Sequence, residues 1–405
     1  MSVLLIAMIN LIAVSTGRPT AENAVCQTQR LPTQDRAVGG PQRLDHPESA
    51  QPDSRIEGVP NRLRLRKVPS PRSELNLSEI PFKIVHETYR KTNGKENWEL
   101  HLINADGSDP VNLTNTPNID EMYPHVSPDG KKICFVIDEG TRRERVRSVH
   151  YMNIDGTKRV KVADYARQPC WSPDGKRIAY LKQEYQRFST REYATGGLFF
   201  YDLQTGEHNE HPNKHLQHIY AICWSPDGNW LLAAVHGGVE YSDVILAFQA
   251  NGTRMFDLGQ WGVKGCRPDL SIDGTKMVWG ETDWNLCIAD TDLKPAGGGR
   301  NLVQAGGAGS DHVQPFWLPA EPRVTNIHDV VRCLRNSKVY HVDISPDSKY
   351  IAFSYGPFKG GQQVGGKARG WNICVSDLTG KWVQITTDGN HNKEPDWVPL
   401  SAPGH

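Results

Sequence analysis

The chain has 405 residues, with 46 Lys plus Arg against 46 Asp plus Glu, and so carries no formal net charge. That balance excludes a general nucleic-acid binder, which needs a basic surplus to neutralise phosphates. Gly (37), Pro (27) and Trp (11) are abundant, as many tight turns and large packed side chains require, and a length beyond one ordinary core points to a repetitive architecture.

Residues 3–14 are apolar except for Asn10, and the small residues Ser15, Thr16 and Gly17 follow. The run is too short to span a bilayer comfortably and reads as a secretory signal over 1–17, although no Lys or Arg precedes it. A short anchor is the alternative. No second run suits a membrane helix, so the expected setting is periplasmic or extracellular. Residues 18–80 hold no sustained apolar period; Pro, Gln, Arg, Ser and Glu dominate, with a basic run Arg62-Leu63-Arg64-Leu65-Arg66-Lys67. Such a segment buries too little apolar area to offset its ordering entropy, and reads as a disordered linker.

From 81 to about 400 the sequence repeats, with 401–405 as a tail. An apolar residue and Ser-Pro-Asp-Gly lead into a β-branched or aromatic run: Val126 to Gly130, Trp171 to Gly175 and Trp224 to Gly228, with the variants Leu270 to Gly274 and Ile344 to Ser348. Pro presets φ, Asp bonds the backbone ahead and Gly accepts positive φ, so the tetrapeptide closes a hairpin. A second punctuation, at Asp106-Gly107, Asp155-Gly156, Asn251-Gly252 and Thr379-Gly380, reads as the turn between third and fourth strands. Ser127, Ser172, Ser225, Ser271 and Ser345 stand 45, 53, 46 and 74 residues apart, the period of a four-stranded propeller blade. Residues 83–89 are a second strand lacking a first, and 394–399 a first strand lacking a second, so the two ends together complete one blade. The expectation is an all-β propeller of six blades with an insertion near 305–337, or of seven if Gln314 to Pro319 begins a degenerate blade.

These repeats resemble the TolB-like, or PD40, propeller family over residues 81–400. TolB itself has an additional α/β domain, for which 18–80 is too short and polar. Prolyl-oligopeptidase-type peptidases also carry such propellers, but no Gly-x-Ser-x-Gly elbow occurs here.

In a propeller the loops joining strands two to three, and blade to blade, share one face. Here they carry Arg142, Arg143, Arg145 and Arg147; then Arg187 and Arg191 with Tyr185 and Tyr193; then Trp261 and Trp284; then a Gly-rich loop with Lys367 and Arg369. Basic groups beside aromatics suit carboxylated glycans, anionic peptides or another protein. His208, His211, His215 and His218 crowd one stretch, and His236 opens a loop of the next blade; imidazoles converging there are candidate ligands for a divalent metal. Aligning the blades places Asp396, His125, Cys170, Cys223, Asp269 and Asp343 at one level of the innermost strands, where they form a channel metal site, a Cys170–Cys223 disulfide, or simple interblade packing.

No catalytic constellation stands out, and the leading expectation is a non-catalytic exported propeller that binds a protein, anionic or glycan ligand through its loop-rich face. One alternative is a metal-dependent polysaccharide lyase, since oligogalacturonate lyases are similar in fold; Arg would neutralise the uronate carboxylate and His would take the adjacent proton. Another is a non-catalytic subunit of a larger exported complex, docked through the apolar segment Val330 to Leu334 with Phe316 and Trp317.

Overall fold

The computed structural model describes residues 75–92, 94–239, 241–291, 324–333, 336–358 and 369–400. The expected signal segment 1–17, most of the linker, the tail 401–405, Phe316, Trp317 and Lys367 lie outside the described residues. Among the described residues, 24 strands form six antiparallel sheets of four. In each sheet the chain steps outward from an inner strand to a second, a third and an outer one. The inner strands of blades two to six are Asp120–Val126, Ala166–Trp171, Ile219–Trp224, Cys266–Leu270 and Ser337–Ile344. Blade one takes its inner strand, His391–Val398, from the far end of the chain. Every inner strand packs against those of both neighbours, which closes the ring.

The recurring tetrapeptide makes each inner-to-second hairpin. In blade two the Ser127 hydroxyl accepts from the Lys132 amide at 2.9 Å, and Asp129 accepts from the Lys131 amide at 3.0 Å. Gly130 sits at φ 68°, and a Cβ there would lie 2.2 Å from the Pro399 carbonyl oxygen. So the glycine serves both the turn and the close approach of blade one. The Asp-Gly turns join third and outer strands, with Gly107 at φ 84°.

Ring closure follows the sequence reading. Lys83 pairs with Val398, Ile84 with Trp397 and Val85 with Asp396. Trp397 is buried among Leu77, Ile80, Ile84, Ile103, Ile373 and Ile385. Packing thus begins at Leu75, a few residues before 81.

The long 74-residue interval is absorbed inside blade five. Its third strand, Asn285–Asp290, pairs with an outer strand, Thr325–Arg332. Val330 and Val331 are buried against Leu286, Ile288 and Val339. They are an integral part of that blade, which corrects their reading as an exposed docking segment.

Candidate functional site

Each inner strand slips register by one residue against its neighbour near mid-strand. At each slip one residue adopts the left-handed conformation: Tyr123, Gln168, Ala221, Arg267, His341 and Glu394, at φ 47–55°. For a side-chain-bearing residue this costs on the order of 1–2 kcal/mol, so six such bulges are stabilised only by the surrounding ring. They line a small cavity of about 120 Å³ at the heart of the channel.

Four of these six residues join a buried polar cluster. Arg267 reaches Glu394 at 3.2 Å and also bonds Glu192. The His341 Nε2 lies 2.8 Å from Glu394, and the Tyr123 hydroxyl donates to Glu192 at 3.2 Å. Lys393 pairs with Glu87 at 2.7 Å, and Glu87 also accepts from the Tyr123 amide at 2.6 Å. Burial and the neighbouring Arg267 push His341 down to about 4, leaving it neutral. Burial works against the Glu394 carboxylate, yet Arg267 and His341 hold it well below the usual range. Glu192 arrives from the loop between the second and third strands of blade three, crossing the mouth towards blade five. Arg167 tethers that loop by donating to the carbonyls of Ser189, at 2.8 Å, and Arg191.

The ring predicted from blade alignment lies two residues further along. Its members knit neighbouring blades: Asp396 accepts from the Val126 amide at 3.3 Å, Asp269 from Ile344 at 2.9 Å, Asp343 from Trp397 at 2.8 Å, and His125 from Trp171 at 3.4 Å. Burial, with Asp269 and Asp396 close by, raises the Asp343 carboxyl well above its ordinary value. Burial lowers His125 to about 4. Cys170 and Cys223 are free thiols, and Cys170 lies 3.3 Å from the His125 ring.

On the rim, the loop of blade three encloses a cavity of about 430 Å³ lined by Glu184, Tyr185, Arg187, Phe188, Arg191, Tyr193 and His218 among others. Arg187 and Arg191 are exposed, with Arg187 over the Tyr185 ring at 5.2 Å. Arg145 pairs with Asp120 and covers Phe188 at 4.7 Å, while Arg143 is exposed. Trp261 stacks on Phe256 at 4.2 Å, half-buried. Trp284 is exposed, 6.0 Å from the Lys338 ammonium. Arg369 is exposed and meets Glu96 at 3.3 Å.

The family model for the WD domain, G-beta repeat, matches residues 209–239. Among solved structures, TolB from Acinetobacter baumannii is similar over 78% of this chain and 67% of its own, at 16% identity and a TM-score of 0.53. By fold the chain is a six-bladed β-propeller, similar to that of TolB. The Kuenenia stuttgartiensis hydrazine synthase is similar over 78% of this chain, at 11% identity and a TM-score of 0.50, but the chain spans only 46% of that protein. Identities this low concern the fold alone. No curated protein sequence matches the chain. No helix among the described residues is long and apolar enough to cross a membrane.

Of the five candidate metal histidines, His218 and His236 lie together on the Tyr193 ring, at 6.3 and 4.3 Å. His211 uses both ring nitrogens, on the Gln249 carbonyl at 2.7 Å and the Asn213 amide at 3.0 Å. His208 bonds the Tyr180 hydroxyl at 2.8 Å, and His215 is exposed. His218 meets the Gly237 carbonyl at 3.1 Å, and His236 meets Asp243 at 2.6 Å. Among the described residues, the group of His, Cys, Asp or Glu close enough to share an ion is instead Glu281, Cys287 and Asp329 in blade five. The polar cluster at the channel mouth escaped the sequence reading. Its signal was present two positions before the aligned ring, in Tyr123-Pro124, Gln168-Pro169, Arg267-Pro268 and Glu394-Pro395.

Proposed function

We propose that this propeller is an exported, non-catalytic binding module that takes an anionic partner, the acidic face of a protein or a carboxylated glycan, on its loop-rich face. The observation that carries the reading is the rim cavity of blade three, of about 430 Å³, where Arg187 and Arg191 stand beside Tyr185, Phe188 and Tyr193. Guanidinium forks set next to aromatic rings recognise carboxylates bidentately while the rings cover apolar or sugar faces. Pockets of this size hold a small ligand, on the scale of one or two residues or sugar units. Export rests on the apolar run of residues 3–14. The balanced charge of the chain argues for a local anionic contact over nucleic-acid binding.

The test is capture of partners from a periplasmic or extracellular fraction, and binding of pectate oligomers, by the wild type and by Arg187→Ala/Arg191→Ala. Loss of capture in the double variant, with an unchanged melting temperature, supports the reading. Equal capture by both proteins removes it. Turnover of a defined substrate by the purified protein would replace it with an enzymatic one.

A further inference from the structure

Of the residues in the ion-paired group at the channel mouth, Glu192 alone comes from a loop. Glu394, Lys393, Arg267 and His341 stand on inner strands, and Glu87 on the second strand of blade one. The loop that carries Glu192 lies at the rim, where Tyr193 packs on His236 at 4.3 Å and Glu184 meets His218 at 3.5 Å. Arg167 bonds its Ser189 and Arg191 carbonyls. Phe188 lies under the guanidinium groups of Arg145, at 4.7 Å, and Arg147, at 5.4 Å. Tyr185, Arg187, Thr190 and Arg191 are exposed, and behind them lies the 430 Å³ cavity. A segment that borders so much unfilled space has room to shift, unlike a close-packed core element.

The charges around Glu192 do not balance without it. The cations set around its seat are Arg267, Lys393, Arg147 and Arg167. The other carboxylates are Glu394, Glu87 and Asp138. With His341 neutral, and burial pushing Glu87 up to about 7, these cations outnumber the carboxylates without Glu192, whose carboxylate adds a counter-charge. The seat is also shaped for a carboxylate: Arg267 bonds one oxygen and the Tyr123 hydroxyl donates to the other at 3.2 Å. Two separate donors on two oxygens is the geometry by which proteins recognise carboxylates.

We propose that this seat is a carboxylate-binding site for an acidic group of a partner, and that Glu192 is its built-in occupant, holding the mouth closed until such a group displaces it. The proposal deepens the reading of the loop-rich face as a surface for anionic partners and rests on it. An internal occupant lowers the apparent affinity for an external one by the fraction of time the seat is open. Removing the charge of Glu192 therefore strengthens external binding.

Two probes test this without knowledge of the natural partner. In Glu192→Ala, sodium acetate raises the melting temperature saturably and sodium chloride at equal ionic strength does not; adding Tyr123→Phe weakens the acetate effect. An acetate effect no larger than that of chloride overturns the proposal. Glu192→Gln, which keeps the shape, covers the case in which the alanine variant does not fold. It binds an N-acetylated, C-amidated tetraglutamate peptide about tenfold more tightly than the wild type or better. In the wild type that peptide accelerates hydrogen exchange of amides 188–194. Equal affinity in both proteins, or loop exchange that ignores the peptide, overturns the proposal. The rim reading fails separately, through Arg187→Ala/Arg191→Ala. A partner lost in that double variant but indifferent to Glu192 leaves the rim site standing and removes the occupied seat.

Discussion

Replacing Trp397 by Ala probes the closure of the ring at its joint. Trp397 is 3% exposed, meets Phe82 edge-on at 6.5 Å, and fills the space between the first and last blades with Ile84, Ile373 and Ile385 around it. Truncating a buried Trp to Ala costs about 3–5 kcal/mol, the lost transfer energy plus the cavity left behind. The indole leaves from beneath strands on both sides, so collapse around the void is restricted and the upper half of that range applies. For a domain of this size each kcal/mol lowers the melting temperature by about 2 °C, so the expected drop is about 8–10 °C. The assay is calorimetric melting beside a matched control, Leu400→Ala, a residue 58% exposed just past the joint, which leaves the temperature unchanged. Truncation of the chain at 390 goes further, removing the whole inner strand and exposing the edge of Lys83–Thr92; it is expected to yield aggregated or oligomeric protein by size-exclusion chromatography with light scattering. A Trp397→Ala protein that melts within 2 °C of the wild type would refute the account of the joint as a packed core.

Three further outcomes follow from the channel and from blade five. Asp343 has a raised folded pKa because burial and two neighbouring Asp residues oppose its charge, so its stabilising contribution is complete below the unfolded value and is lost as pH rises. Asp343→Asn escapes that loss, and its melting temperature should exceed that of the wild type by a margin that widens from pH 4 to pH 8. His86, His125 and His341 are pushed down to about 4, chiefly by burial. The unfolded chain therefore takes up protons below pH 6.5 that the native state refuses, and urea titrations should show stability falling between pH 6.5 and 4, by up to ~1.4 kcal/mol per pH unit for each histidine. Val331→Asp places a charge at a position 2% exposed in the outer strand of blade five; it is expected to destabilise the whole protein by more than ~3 kcal/mol, whereas an exposed docking segment would tolerate it.

Much of the fold was legible because turn chemistry is local. Ser, Pro, Asp and Gly close a hairpin through bonds spanning five residues, such as Ser127 to Lys132, so the pattern survives in sequence wherever the hairpin survives in space. The closure at Trp397 was legible for a related reason, since half a repeat at each end implies the whole. The insertion was located only coarsely, because nothing in Thr325–Arg332 distinguishes an outer strand from a new blade until its pairing with Asn285–Asp290 is known. Histidine density says little about shared surroundings for a geometric reason: between His208 and His218 the chain leaves the outer edge of blade three and returns towards the inner strand of blade four. Glu192 had no local signature at all. Its partners Tyr123 and Arg267 lie on other blades, and only the closed ring brings them together.

The pairing of Lys83–Thr92 with His391–Val398 also governs the order of events during synthesis. The earlier strand emerges from the ribosome first and must wait, with one side unpaired, until its mate has been made. Throughout that interval it is a template onto which any extended chain could add. Its composition is that of a strand built to wait: Lys83, Glu87, Arg90 and Lys91 interrupt the apolar residues, and the Glu87 carboxylate finds its counter-charge in Lys393 of the final strand. A stray strand docking there would bury that acid without a counter-charge, so the same ion pair that completes the native ring discourages its premature or foreign completion.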